Sequence, residues 1–188
     1  MTNSILNYGV GIRDEDLPLN TRCPFYDTWM NMLKRCYSSS YQSVQTTYSD
    51  CSVCNEWLTF SKFKAWMKNQ DWEGKELDKD LLYQGNRVYS PMYCVFISRQ
   101  LNSFLLKKKH KTIEETGFYF NSRLNKYQAQ ISNPFLGKRV YLGIFNTPEE
   151  AHRAWRSKKH EFACKFADMQ TDSRLAEALR NRFKEGTL

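Results

Sequence analysis

Charge and periodicity both change near residue 107, and this constrains the fold more than any other feature of the sequence. Residues 1–106 hold 11 Lys/Arg and 11 Asp/Glu and are neutral overall; residues 107–188 hold 17 and 9, so they carry the whole net charge of +8. Upstream, apolar residues recur at helical spacing; downstream they alternate. A neutral part joined to a basic part predicts two modules, 1–106 and 117–188, with a basic linker at 107–116, and a polyanion as partner of the second. A basic surface kept for solubility is the competing reading.

No apolar run reaches the roughly 20 residues of a spanning helix, so no membrane partner is expected. The opening stretch MTNSILNYGVGIRDEDL has neither the basic start nor the apolar core of a signal peptide, which predicts a cytoplasmic protein. Its six cysteines are then expected to be reduced or metal-bound.

In the first module, FYDTWMNMLKRCY spaces Trp29, Met32, Leu33 and Cys36 as a helix, with Asp27 or Thr28 as cap. SSSYQSVQTTYSD has no period and reads as a loop. CNEWLTFSKFKAWMKNQ places Trp57, Phe60, Phe63 and Met67 on one face, as core. In LDKDLLYQGNRVYSP, a strand over Leu77–Leu82 would point Asp78 and Asp80 one way and Lys79 the other. Paired carboxylates suit a hard divalent cation, Mg2+ or Mn2+, which can activate water against a phosphodiester. The competing reading is that the two aspartates cap and brace a turn. Gly85-Asn86 signals a tight turn, Ser90-Pro91 a helix start or hairpin end, and Cys94–Asn102 a helix. Cys51-x-x-Cys54 is a zinc-knuckle spacing that Cys36 and Cys94 could complete as a structural Zn2+ site; buried reduced thiols are the alternative.

In the second module, GFYFNSR, KYQAQIS and KRVYLGIF read as three strands, and PEEAHRAWRSKKHEFACKFA as a helix begun by Pro148. A last helix follows the Thr/Asp pair at 171–172. Alternation turns Phe118, Phe120, Tyr127, Ala129, Ile131, Val140 and Leu142 toward the helix. The other face would carry Tyr119, Asn121, Gln128, Gln130, Ser132, Arg139 and Tyr141, a set with no acid. Amides match adenine edges and arginine matches guanine, so this face suits double-stranded DNA. Lys107, Lys108, Lys109 and Lys111 would follow the phosphate backbone.

Two resemblances cover most of the chain. Gly117, KYQAQI and YLGIFNTPEEAHRAW resemble the plant ethylene-response-factor type of DNA-binding domain, which also occurs in phage endonucleases. This implies a sheet in the major groove, with contacts carried by Arg123, Gln130, Ser132, Arg139 and Tyr141. Residues 27–102 resemble the HNH superfamily, in particular a phage branch, through Trp29, Met32, Leu33, Arg35, Cys36 and Tyr37, then Cys54, Glu56 and Trp57, then Leu77–Asp80, then Gly85, Asn86, Tyr89, Ser90 and Pro91. That resemblance implies metal ligation by Asp78 and Asn102 and loop bracing by Asn86. Where the superfamily has its histidine base, this chain has Lys79, so Asp80 or metal-bound hydroxide becomes the candidate proton acceptor.

The sequence therefore predicts an α+β protein: an N-terminal ββα-metal (HNH-like) domain with flanking helices, and a C-terminal three-stranded antiparallel sheet packed on one helix. The expected function is a homing-type DNA endonuclease, in the host cytoplasm if phage-encoded, monomer or dimer. The alternatives are a non-catalytic DNA-binding protein and a protein that binds a host factor.

Overall fold

In the computed structural model, which describes residues 6–17, 22–106 and 116–184, the helical spacing of the first hundred residues converges on one aromatic core. The chain divides into two compact units, residues 1–98 and 99–188. Both mix helix and strand, and the architecture is α+β.

The first unit opens with a hairpin of β1 (Leu6–Asn7) and β2 (Gly11–Ile12). Helix α1 (Pro24–Tyr37) follows. Its cap is Cys23 and not Asp27 or Thr28: Pro24 presets the helical φ and starts the helix earlier than expected. Thr28 Oγ1 instead donates to Pro24 O at 2.9 Å, while Asp27 sits in the first turn beside Arg22. The polar stretch after α1 holds a short helix, α2 (Ser39–Gln42), capped by Ser38. Gln42 Nε2 donates to Cys36 O at 2.7 Å and Tyr48 O at 3.1 Å, satisfying a carbonyl at the end of α1.

Strand β3 (Ser52–Val53) leads through a 3-10 turn, Asn55–Leu58, into α3 (Phe60–Lys68). Trp57, Phe60, Phe63 and Met67 are all buried, although Trp57 belongs to the turn. The Trp29 indole N–H donates to Trp57 O at 2.7 Å, so the two tryptophans lock α1 to that turn. Each such ring contributes about 1.5–3 kcal/mol through burial alone.

Strand β4 (Lys75–Asp78) pairs antiparallel with β6 (Val95–Ser98), from Lys75↔Ser98 to Asp78↔Val95. Between them β5 (Val88–Tyr89) pairs in parallel with β3. The expected helix over Cys94–Asn102 is therefore divided. Val95, Phe96 and Ile97 are consecutively buried, a pattern suited to a covered strand, and the helix starts only at Arg99.

The second unit begins with α4 (Arg99–Leu105). Its Phe104 ring lies 5.1 Å from Phe166 and 5.9 Å from Phe183, and Gln100 Nε2 donates to Pro134 O at 2.8 Å. Strands β7 (Phe118–Asn121), β8 (Lys126–Ser132) and β9 (Arg139–Phe145) form an antiparallel sheet in that order. Helix α5 (Pro148–Asp168) crosses it, and α6 (Ser173–Arg182), capped by Asp172, packs on α5. Thr147 and Glu150 form a capping box that fixes where α5 starts.

The inward face of the sheet differs from simple alternation at Phe120, which is 51% exposed. Helix α5 lies mainly over β8 and β9, so the far end of edge strand β7 is left uncovered, with the Phe120 ring 5.2 Å from that of Tyr127. Ala129 and Ile131, on the central strand, are buried. Among the described residues, no helix is long and apolar enough to cross a membrane.

Two features of the second unit yield expected outcomes. Gly117 has φ +95°, and a Cβ there would lie 2.0 Å from the Trp155 ring, whereas Gly137, at φ +65°, has nothing within 4 Å. Gly117→Ala should cost several kcal/mol and Gly137→Ala about 1–2 kcal/mol, read by urea unfolding. Lys159 Nζ donates to Phe104 O and lies 4.1 Å, 5.3 Å and 5.5 Å from the ring centroids of Phe104, Phe183 and Trp155. Burial, aided by Arg182, pushes its pKa down to about 8 from 10.5. Between those values the unfolded chain holds a proton that the folded chain has released, so stability gains with rising pH. Wild type should therefore gain stability relative to Lys159→Met between about pH 8 and 10.5, measured as paired urea midpoints.

Candidate metal loop and candidate nucleic-acid interface

Asp78 is the last residue of β4, and its own carboxylate ends the strand. Oδ1 accepts the N–H groups of Asp80, at 3.0 Å, and Leu81, at 2.7 Å, which folds the chain back into a turn. The strand expected to continue to Leu82 therefore stops four residues short, and Asp80 lies in the turn instead of beside Asp78 on a strand. Asp80 keeps a half-exposed carboxylate.

Lys79 is 6% exposed and turned into the protein. Its Nζ donates to Asn86 O at 2.9 Å and to Asp80 Oδ2 at 3.2 Å, and lies 6.0 Å from the Tyr89 ring centroid. Asn86 answers in kind: Nδ2 donates to Lys79 O at 2.7 Å and Val88 O at 2.8 Å, while Oδ1 accepts from Val88 N at 3.2 Å. Both Lys79 side-chain bonds are those of a donor, and the side chain is buried. Lys79 and Asn86 thus brace the loop between β4 and β5. Asn102 falls in α4, partly buried, in the second unit, whereas Asp78 belongs to the first.

Cys36, Cys51 and Cys94 are buried in the aromatic core, and Cys54 lies at its edge. Burial pushes the Cys36 thiol up to about 12, with Cys51 nearby adding to the rise, and raises Cys54 and Cys94 too. Among the described residues, no three His, Cys, Asp or Glu side chains are grouped to hold a metal ion.

In the second unit the register sorts the outward face into rows. Asn121 pairs with Lys126; Tyr119, Gln128 and Ile144 form the next row; Gln130 pairs with Tyr141; and Ser132 pairs with Arg139. The expected outward residues on the strands share this face, which carries no acid. Two members were missed. Lys126 follows from the same alternation as Gln128. Ile144 does not: an irregularity at Ala129/Gln130 shifts the pairing so that Ile144, 42% exposed, stands opposite Gln128. Arg123 lies in the β7–β8 turn, and Asn121 Oδ1 accepts the Arg123 and Leu124 N–H groups, at 3.2 and 3.4 Å. Asn121 is thereby a turn former as much as a surface amide. Lys107, Lys108, Lys109 and Lys111 lie outside the described residues.

Because Asn86 alone joins three backbone groups of the loop, Asn86→Ala should cost about 2–4 kcal/mol, detectable as a lower urea midpoint of the whole chain. A neutral loss, within about 0.5 kcal/mol, would show the brace to be redundant. No family model matches this chain, and no solved structure matches it.

Proposed function

We propose that the chain is a DNA endonuclease in which the sheet of the second unit holds the duplex and the loop after β4 supplies the chemistry. The outward sheet face carries this reading: a row order of amides, tyrosines and one isoleucine, with Lys126 near one end and Arg139 at the other and no carboxylate between. Solvent-facing sheets usually mix in acids; a face without them meets a polyanion at no repulsive cost.

For the chemistry, the supporting features are the chain order β4, braced loop, β6, α4, and the two carboxylates Asp78 and Asp80 at the loop's start. Their oxygens are the donor type a hard cation such as Mg2+ or Mn2+ takes, and such an ion, when bound, supplies Lewis-acid stabilisation and an activated water. Asp78 is fixed by the Asp80 and Leu81 N–H groups, so it meets a ligand without reorganising. Lys79 is committed to the loop, which leaves half-exposed Asp80 as the group to accept a proton from water. That same commitment favours a second reading: a non-catalytic DNA-binding protein in which Lys79 has turned the site into a scaffold.

Supercoiled plasmid with Mg2+ or Mn2+ separates the readings. Nicking by wild type that falls roughly 100-fold or more in Asp78→Ala supports the endonuclease. Absence of nicking with either ion, alongside duplex binding that weakens with salt by a slope of about 0.9 per phosphate contact, supports the scaffold. No binding even at low salt removes both and leaves a protein partner, such as a host factor, as the reading.

A further inference from the structure

From the register of the outward face we infer that the sheet selects A·T base pairs at the centre of its site, through Gln128 and Ile144. The inference rests on the duplex-binding reading above and goes beyond it by naming the bases. Gln128 stands on the central strand, flanked by Tyr119 on one side and Ile144 on the other. Asn121 Nδ2 donates to Gln128 Oε1 at 3.4 Å, and the β7–β8 turn holds Asn121 itself, so the Gln128 amide is oriented before any ligand arrives. An oriented glutamine amide pairs with adenine by accepting from N6 and donating to N7.

The neighbour supplied by the irregular register completes the match. Ile144 places an exposed, branched apolar side chain beside that amide, and the major-groove edge of thymine is the one that presents a methyl group. Adenine edge and thymine methyl belong to the same base pair. Gln130, one row on, adds a second amide whose side chain has no hydrogen-bond partner among the described residues, next to Tyr141. Lys126 and Arg139 lie toward opposite ends of the face. Strand β8 runs about 20 Å from Lys126 to Ser132, longer than the roughly 12 Å width of the groove. With the amides over the groove, the cations reach the phosphates that border it, so charge positions the sheet and the central rows select.

The experiment is enrichment of a randomised duplex pool on the full-length chain in buffer without divalent metal, followed by affinity measurements on the selected duplex. A recurrent A·T core is expected. Replacing one central A·T by G·C should weaken wild type by roughly 5- to 150-fold, and Gln128→Ala should lose most of that discrimination. Uracil in place of thymine removes only the methyl group; it should weaken wild type several-fold and leave Ile144→Ala unaffected. Ile144 is exposed, so its variant keeps the fold, with an unchanged unfolding midpoint as the control. Salt-dependent binding with no base preference, or an enriched G·C core, overturns the A·T assignment while the duplex-binding reading stands. No retention of any duplex at low salt instead overturns the reading beneath it.

Discussion

Lys79 and Asn86 exchange hydrogen bonds across seven residues, each donating a side-chain N–H to the other's main-chain carbonyl. On this exchange hangs the connection between β4 and β6, which has little regular structure of its own. A segment of that length would otherwise leave backbone polar groups unpaired near the core, each at a cost of about 1–3 kcal/mol. The two side chains satisfy three carbonyls and one N–H between them, counting the Val88 contacts. The loop is therefore held by polar bonds at one end and, through Tyr89 against the aromatic cluster, by packing at the other. Asp78, at the start of the loop, is held separately by the Asp80 and Leu81 N–H groups.

The second unit solves a different problem. Its sheet has one face for α5 and one for the surroundings, and its cations are divided between them. Lys159 is drawn inward among rings, where it holds the last turn of α4 through the Phe104 carbonyl. Lys126 and Arg139 stay outside. Burial among those rings lowers the tendency of Lys159 to hold its charge.

Much of this was legible in the sequence. The 3.6-residue recurrence of Trp29, Met32, Leu33 and Cys36 marks α1, and KYQAQIS marks β8 to the residue. The outward set on β8 follows from period two alone. What escaped needed tertiary information. Val95–Ser98 could be strand or helix by hydrophobicity, and pairing with β4 decided it. Asp80 left the strand because the Asp78 side chain competes with the ladder for N–H groups. Phe120 depended on where α5 ends its cover, and Ile144 on a one-residue irregularity that no spacing rule reveals. In the loop after β4, Lys79 was visible but its direction was not: the Asn86 carbonyl and the Asp80 carboxylate that hold its Nζ come together only in the fold.

The close approach of Gly117 to Trp155 has a consequence for transplanting the three-stranded sheet. The first strand's entry point is moulded to a ring carried nearly forty residues later, on the helix. Neither half of that contact can be exchanged alone: any side chain at 117 displaces the indole, and a smaller residue at 155 leaves a void under the backbone. A graft onto another scaffold must therefore move the strands and α5 together, as one inheritable cassette.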